Sequence, residues 1–262
     1  MKSPVVLLDI QDATALVTLN RPAAANTLDL QTATELLSVA KQCRADPHVR
    51  AIVLTGAGKH FCFGGDLRSM RHEGPRVAAY LRELTQTLHA AICEFAQTDA
   101  PLVAAVNGTA AGAGIGLLAM ADLSLCGRSS QINTAYTGVA LTPDAGTSFL
   151  LPRIVGLRRA TELLLLSRVL SAAEALDWGL VNGIVEDPDL HDRAMALGGR
   201  LANGPVGAFG QTRRLLRESL EAFERHLAAE SQTIASQATS PEGQEGIEAF
   251  LQKRVPQFRS DP

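Results

Sequence analysis

The chain has 262 residues, 46% of them hydrophobic and 19% charged, with a net charge of −3. That is enough apolar material for one large domain and too little charge for a disordered chain, and no long basic run marks a nucleic-acid partner. Cys43, Cys62, Cys93 and Cys126 form no C-x-x-C pair, so a disulfide framework is excluded as the organising device.

The apolar run at the N-terminus ends at Asp9, too short for a secretion signal. Residues 163–166, the longest aliphatic cluster, fall far below the ~20 a membrane helix needs. A soluble, reducing, cytoplasmic setting is expected, with no membrane and no nucleic acid as partner.

Residues 5–10 and 15–19 predict a β-hairpin. Leu30, Ala33, Leu37 and Ala40 then repeat at helical spacing behind Asp29, a capping residue type. Residues 51–54 and 102–106 are short continuous apolar runs, as strands buried on both faces show. Between them, after Gly74-Pro75, the stripe Val77, Leu81, Leu84, Leu88, Ile92 and Phe95 predicts a long amphipathic helix. Residues 123–126 predict a further strand. The second half reads as mostly helical, over residues 157–166, 172–178, 190–201 and 206–227, with a strand at 180–185. Ser240-Pro241-Glu242 is a strong helix start, with Ile247, Phe250 and Leu251 expected on its apolar face.

Two glycine-rich turns carry the functional argument. Phe61-Cys62-Phe63-Gly64-Gly65-Asp66-Leu67-Arg68 leaves a strand for a helix, and its paired glycines allow backbone to approach a ligand. Asn107-Gly108-Thr109-Ala110-Ala111-Gly112-Ala113-Gly114-Ile115-Gly116 also follows a strand and opens a helix, where free amides favour a developing negative charge. Dinucleotide binding is excluded because the third glycine falls at 116 and position 117 is leucine. Taken singly, each turn is also read as ordinary strand-to-helix packing.

In order along the chain stand Asn20-Arg21-Pro22 with Asn26, residues 51–56, and the 61–66 turn. Pro101 to Gly108, Ala121-Asp122, Pro143-Asp144-Ala145-Gly146, Leu151-Pro152-Arg153, residues 175–181 and residues 250–254 follow. Over residues 5–258 this series resembles the enoyl-CoA hydratase/isomerase (crotonase) family. The resemblance implies an α/β ββα-spiral core over residues 1–200 with a helical C-terminal region, 201–262, that trimerises. It also implies an acyl-CoA thioester as substrate, no cofactor beyond its coenzyme A moiety, no metal, and a homotrimer or dimer of trimers. By motif position the oxyanion hole is Gly65 N–H and Ala113 N–H. Coenzyme A contacts fall at Ala23, Ala24, Ala25, Gly65, Asp66, Leu67 and Arg68, with Phe250 and Lys253 over the adenine.

Hydratases of this family hold water between two glutamates; the corresponding positions here are Gly116 and Tyr136, so that acid pair is missing. Asp144 stands where isomerases of the family carry a proton-moving aspartate. A double-bond shift needs only one base, and burial among Leu141, Phe149 and Leu150 would raise its pKa. The competing reading has Asp144 as the cap of a helix beginning near residue 145. Asp66 reads as a helix cap, His60 as a loop histidine and Tyr136 as packing. Isomerisation of an unsaturated or ring-derived acyl-CoA leads, ahead of hydration with non-standard acids and of non-catalytic acyl-CoA binding.

Overall fold

A computed structural model describes residues 3–216 and 220–258. The hairpin is β1 (Val6–Gln11) and β2 (Thr14–Leu19), turned at Asp12 and Ala13, which both take positive φ. After α1 (Leu30–Ala45), capped by Asp29 through Thr32 N–H, come β3 (Ala51–Gly56), α2 (Leu67–Glu73) and α3 (Val77–Gln97). Then follow β4 (Leu102–Val106), β5 (Thr109–Ala111), α4 (Ala113–Ala119), β6 (Leu123–Gly127) and β7 (Gln131–Asn133). The remainder is α5 (Thr147–Val155), α6 (Leu157–Leu166), β8 (Val169–Ser171), α7 (Ala172–Asp177), β9 (Gly183–Val185), α8 (Leu190–Ala202), α9 (Val206–Leu216), α10 (Leu220–Ala238) and α11 (Pro241–Gln252).

Six strands form the main sheet in the order β1-β2-β3-β4-β6-β9, parallel except for the opening hairpin. The short strands β5, β7 and β8 form a second sheet. Successive turns of the chain therefore lay one long and one short strand on two neighbouring sheets, which is the ββα spiral. The predicted stripe of α3 is buried throughout and packs against α1 and α10, while α8 covers the opposite face of the main sheet over Val53, Val103 and Ala105.

Some local expectations are revised. The strand expected at 180–185 shortens to β9, and ahead of it Asn182 donates its N–H to Ser124 O at 2.8 Å while its side-chain oxygen accepts from Ser124 N–H at 2.7 Å. The single helix expected over 206–227 is α9 and α10, and its junction lies outside the described residues. Phe223, Leu227, Ile234, Ala235, Ala238 and Ile247 of α10 and α11 belong to the same buried core as the sheet, so this C-terminal region packs on its own chain. Phe250 is exposed, so only Ile247, with half-buried Leu251, keeps the inward place expected on α11. No helix among the described residues is long and apolar enough to cross a membrane.

Candidate active site

The two glycine turns are stitched together by backbone. Cys62 bridges Ala110 in β5, and Ala111 N–H donates to Cys62 O at 2.8 Å. Gly64, at φ +79°, lies so close to the second turn that a Cβ there would stand 2.9 Å from Ala111 O and 3.0 Å from Ala113 N. Leu28 engages the first turn from its other side, donating to Gly64 O at 2.7 Å and accepting from Asp66 N–H at 3.0 Å. In such a parallel bridge the middle residue, Gly65, turns its own N–H away from Leu28. Ala113 is the first residue of α4, behind Gly112 at φ +52°, and keeps a negative φ itself. A first-turn amide has no intrahelical acceptor. Neither Gly65 N–H nor Ala113 N–H meets a protein acceptor among the described residues.

Asp66 is committed to structure. One oxygen caps α2 by accepting from Arg68 N–H and Ser69 N–H, and the other takes Arg21 at 3.1 Å and Thr27 at 3.2 Å. Ala23, Ala24 and Ala25 follow Arg21 in a tight turn, and Ala25 O accepts from Phe63 N–H at 3.1 Å, tying this turn to the first glycine loop. Leu67 packs against the core and Arg68 is exposed on the first turn of α2. Phe250 and Lys253 are exposed at the end of α11, and no hydrogen bond or ion pair among the described residues joins them to Ala23–Ala25 or Arg68. Helix α11 does lie beside α2, where Glu248 pairs with Arg71 at 3.1 Å. Between the two helices is a groove of about 460 Å³ lined by Met70, Arg71, Gln244, Ile247 and Glu248. The Met70 methyl also lies 2.5 Å from where a Gly65 Cβ would stand.

Asp144 is buried and is not the cap of the following helix, which starts at Thr147 with Gly146 at its N-cap. Its carboxylate accepts from the Tyr136 hydroxyl at 2.7 Å, and that hydroxyl also lies 3.2 Å from Thr147 Oγ1. Tyr136 thus orients the acid as well as packing. Burial pushes the Asp144 carboxyl up to about 6, against the pull of the Tyr136 hydrogen bond. Burial pushes the Tyr136 phenol well above its ordinary value, with the Asp144 charge adding to the effect, so it acts as a donor.

The backbone after Asp144 is held by side chains from two distant helices. His89 of α3 accepts from Ala145 N–H at 3.1 Å, and burial lowers its pKa to about 4, leaving a neutral ring. Glu230 of α10 accepts from Gly146 N–H at 2.8 Å, Ser148 N–H at 3.0 Å and the Ser148 hydroxyl. Burial, with the Asp144 charge adding, raises Glu230 to about 7 despite those bonds. Ala145 presses on α4, where a Cβ at Gly116 would come within 2.3 Å of Ala145 O. The acid turn and the helix that starts at Ala113 are therefore in direct contact, and the Asp144 charge reaches Cys62 in the first turn. The carboxyl oriented by Tyr136 therefore sits on a turn packed against the helix that begins at Ala113.

The family model described as Enoyl-CoA hydratase/isomerase matches residues 9–261. The chain belongs to the enoyl-CoA hydratase/isomerase family. A "Probable enoyl-CoA hydratase" of Rhodobacter capsulatus is 36% identical over 251 residues, covering 95% of this chain and 96% of the relative. The 1,2-epoxyphenylacetyl-CoA isomerase of Escherichia coli is 33% identical, with 97% of each chain covered. A crystal structure of an enoyl-CoA hydratase/isomerase from Pseudoalteromonas atlantica has a TM-score of 0.86 at 30% identity, covering 97% of this chain and 100% of that one. The spiral is thus the crotonase fold, and the chain is an enzyme of acyl-CoA chemistry.

For a member of this family, the contact between Gly116 and Ala145 is informative. It leaves no room for a side chain at 116, where the resemblance puts one hydratase glutamate, while the other position, Tyr136, is bound to Asp144. His89 and Glu230 were missed from sequence. Their signal was available: each is a polar residue on the buried stripe of a helix, His89 beside Leu88 and Ile92, Glu230 between Leu227 and Ile234.

Proposed function

We propose that this enzyme isomerises an unsaturated or ring-derived acyl-CoA by moving one proton with Asp144. The ionised carboxylate takes the proton on the carbon next to the thioester carbonyl. The C–H electron pair passes to the carbonyl oxygen, giving a dienolate held by Gly65 N–H and Ala113 N–H. The same proton returns further along the chain, which restores the thioester and shifts the double bond. Backbone donors aimed at the developing charge contribute a few kcal/mol each in other enzymes.

What carries the reading is a buried carboxyl, raised to about 6 and aimed by Tyr136, with no room for an acid side chain at Gly116. A base of that pKa is ionised at neutral pH yet stronger than an ordinary aspartate. The coenzyme A moiety would lie along Ala23–Ala25 and Gly65–Arg68, with Phe250 and Lys253 near its adenine, and no other cofactor is required. A homotrimer or dimer of trimers is part of the same reading.

A panel of 2-enoyl, 3-enoyl and ring-derived CoA thioesters tests it, with products identified by mass and NMR. Isomerisation leaves mass unchanged, whereas hydration adds water. We expect crotonyl-CoA hydration to be weak or absent, and Asp144→Asn to slow isomerisation by about 10²–10⁴-fold with thioester affinity little changed. Full activity in that variant would place the base elsewhere.

A further inference from the structure

The turn that carries Asp144 has an unusual anchor. Helix α5 has no side-chain cap of its own, because its N-cap is Gly146 at φ +76°. The task falls to Glu230, 84 residues further along the chain, whose two oxygens accept from Gly146 N–H and Ser148 N–H. A carboxylate at a helix N-terminus is favourable through both hydrogen bonds and the helix dipole. Glu230 thus holds the backbone two residues beyond Asp144, and the Asp144 charge helps raise its pKa. Helix α10 is itself fixed to α3 by Thr85 and Ser231, whose hydroxyls lie 2.6 Å apart, and α3 supplies His89 to the next amide in the same turn.

We propose that Glu230 is a positioning residue for proton transfer, clamping the Asp144 turn through Gly146 and Ser148 and coupling its own charge to that of Asp144. The inference rests on the reading of Asp144 as the base. Its consequence is that the site holds two acids that titrate as a pair, one facing the reaction and one facing the backbone. Burial raises Asp144 to about 6 and Glu230 to about 7, with the Asp144 charge adding to the rise at Glu230, so the two apparent steps belong to the pair.

Glu230 also has its own path to water. The Ser148 hydroxyl donates to Glu230 and lies 2.8 Å from His226 Nε2, and the His226 side chain is 39% exposed. The proton on Glu230 can follow the pH of the medium without crossing the substrate site.

The groups around Glu230 bear on this pairing. His226 on its own helix is 3.7 Å away, and its pKa is lowered by burial and by Arg153 of α5. His89 on α3 is neutral, and Tyr136 faces Asp144. The glutamates of α11 are engaged elsewhere or exposed: Glu245 pairs with Arg254, Glu248 with Arg71, and Glu242 faces solvent.

The test follows the ¹³C-carboxyl resonances of aspartate-labelled enzyme against pH, with Asp144→Asn assigning the signal. The Asp144 resonance should move near pH 6 and again near pH 7, and Glu230→Gln should abolish the second step. Ser148→Ala, which keeps the fold-forming backbone bonds, should move the second step to higher pH. Alongside, exchange of the α-proton of butyryl-CoA into D2O should fall ~10- to 100-fold in Glu230→Gln, as for a misplaced catalytic group, with KM nearly unchanged and melting recorded in parallel. One Asp144 step in the wild-type enzyme, unaltered in both variants, overturns the proposal, as does a loss of exchange no larger than the loss of folded protein. Exchange that survives Asp144→Asn instead overturns the Asp144 reading itself.

Discussion

Asp144 and Glu230 make stability depend on pH in the direction opposite to a surface salt bridge. Both titrate higher in the folded chain than their ordinary values of 3.8 and 4.5, reaching about 6 and about 7. Between those limits the folded state binds more protons than the unfolded state. Their stabilising contribution is complete below about pH 4 and is lost as pH rises through 6 and 7. Asparagine at 144 carries no charge at any pH. Asp144→Asn should therefore gain stability relative to the wild type on going from pH 4 to pH 8, by on the order of 3 kcal/mol. Urea unfolding at the two pH values measures the gain, and a constant difference between the proteins would show that the acid is not raised. Burial of the Asp144 carboxyl thus costs the fold most at the pH where the carboxyl is ionised.

At the scale of elements, the contact between α4 and the acid turn governs how much variation the site accepts. A Cβ at Gly116 would meet Ala145 O at 2.3 Å and Ala145 Cβ at 2.6 Å, both parts of a backbone clamped by His89 and Glu230. Gly116→Ala should destabilise by about 1–3 kcal/mol and displace Asp144, so activity should fall more than the folded fraction does. Equal losses in chemical unfolding and in turnover would contradict this. The long elements were legible in sequence because β3, β4 and α3 bury continuous or strictly periodic apolar residues. The strands β5, β7 and β8 were not: three residues carry no period, and β5 reads as the start of α4. The same division holds in the site. The glycine turns announce themselves through residue type, and Asp144 through its Pro-Asp neighbourhood. Glu230 stands out only as a polar residue on the buried stripe of α10, and its partners, amides 84 residues earlier, emerge only with the fold.

For the whole molecule, the exposed apolar surface bears on assembly. Leu157, Leu165 and Leu166 of α6 are 71%, 66% and 72% exposed, and Val169 and Leu176 nearby are also exposed. Leu215 and Leu216 of α9 are 85% and 78% exposed, and these leucines with those of α6 are apolar surface that a symmetric oligomer would cover. Light scattering should give three or six chains per particle, and Leu165→Glu with Leu166→Glu should shift the mass toward the monomer. A monomeric wild-type enzyme would count against the assembly. The anchoring of the acid turn by α10 has one more consequence, in the order of synthesis. At roughly 5–20 residues per second on the ribosome, Glu230 is translated about 4–17 s after Gly146, from which it is 84 residues distant. During that interval both glycine turns and His89 are already made, while Gly146 N–H and Ser148 N–H still lack the carboxylate that accepts from them. Translation thus delivers both glycine turns before the residue that clamps the Asp144 turn.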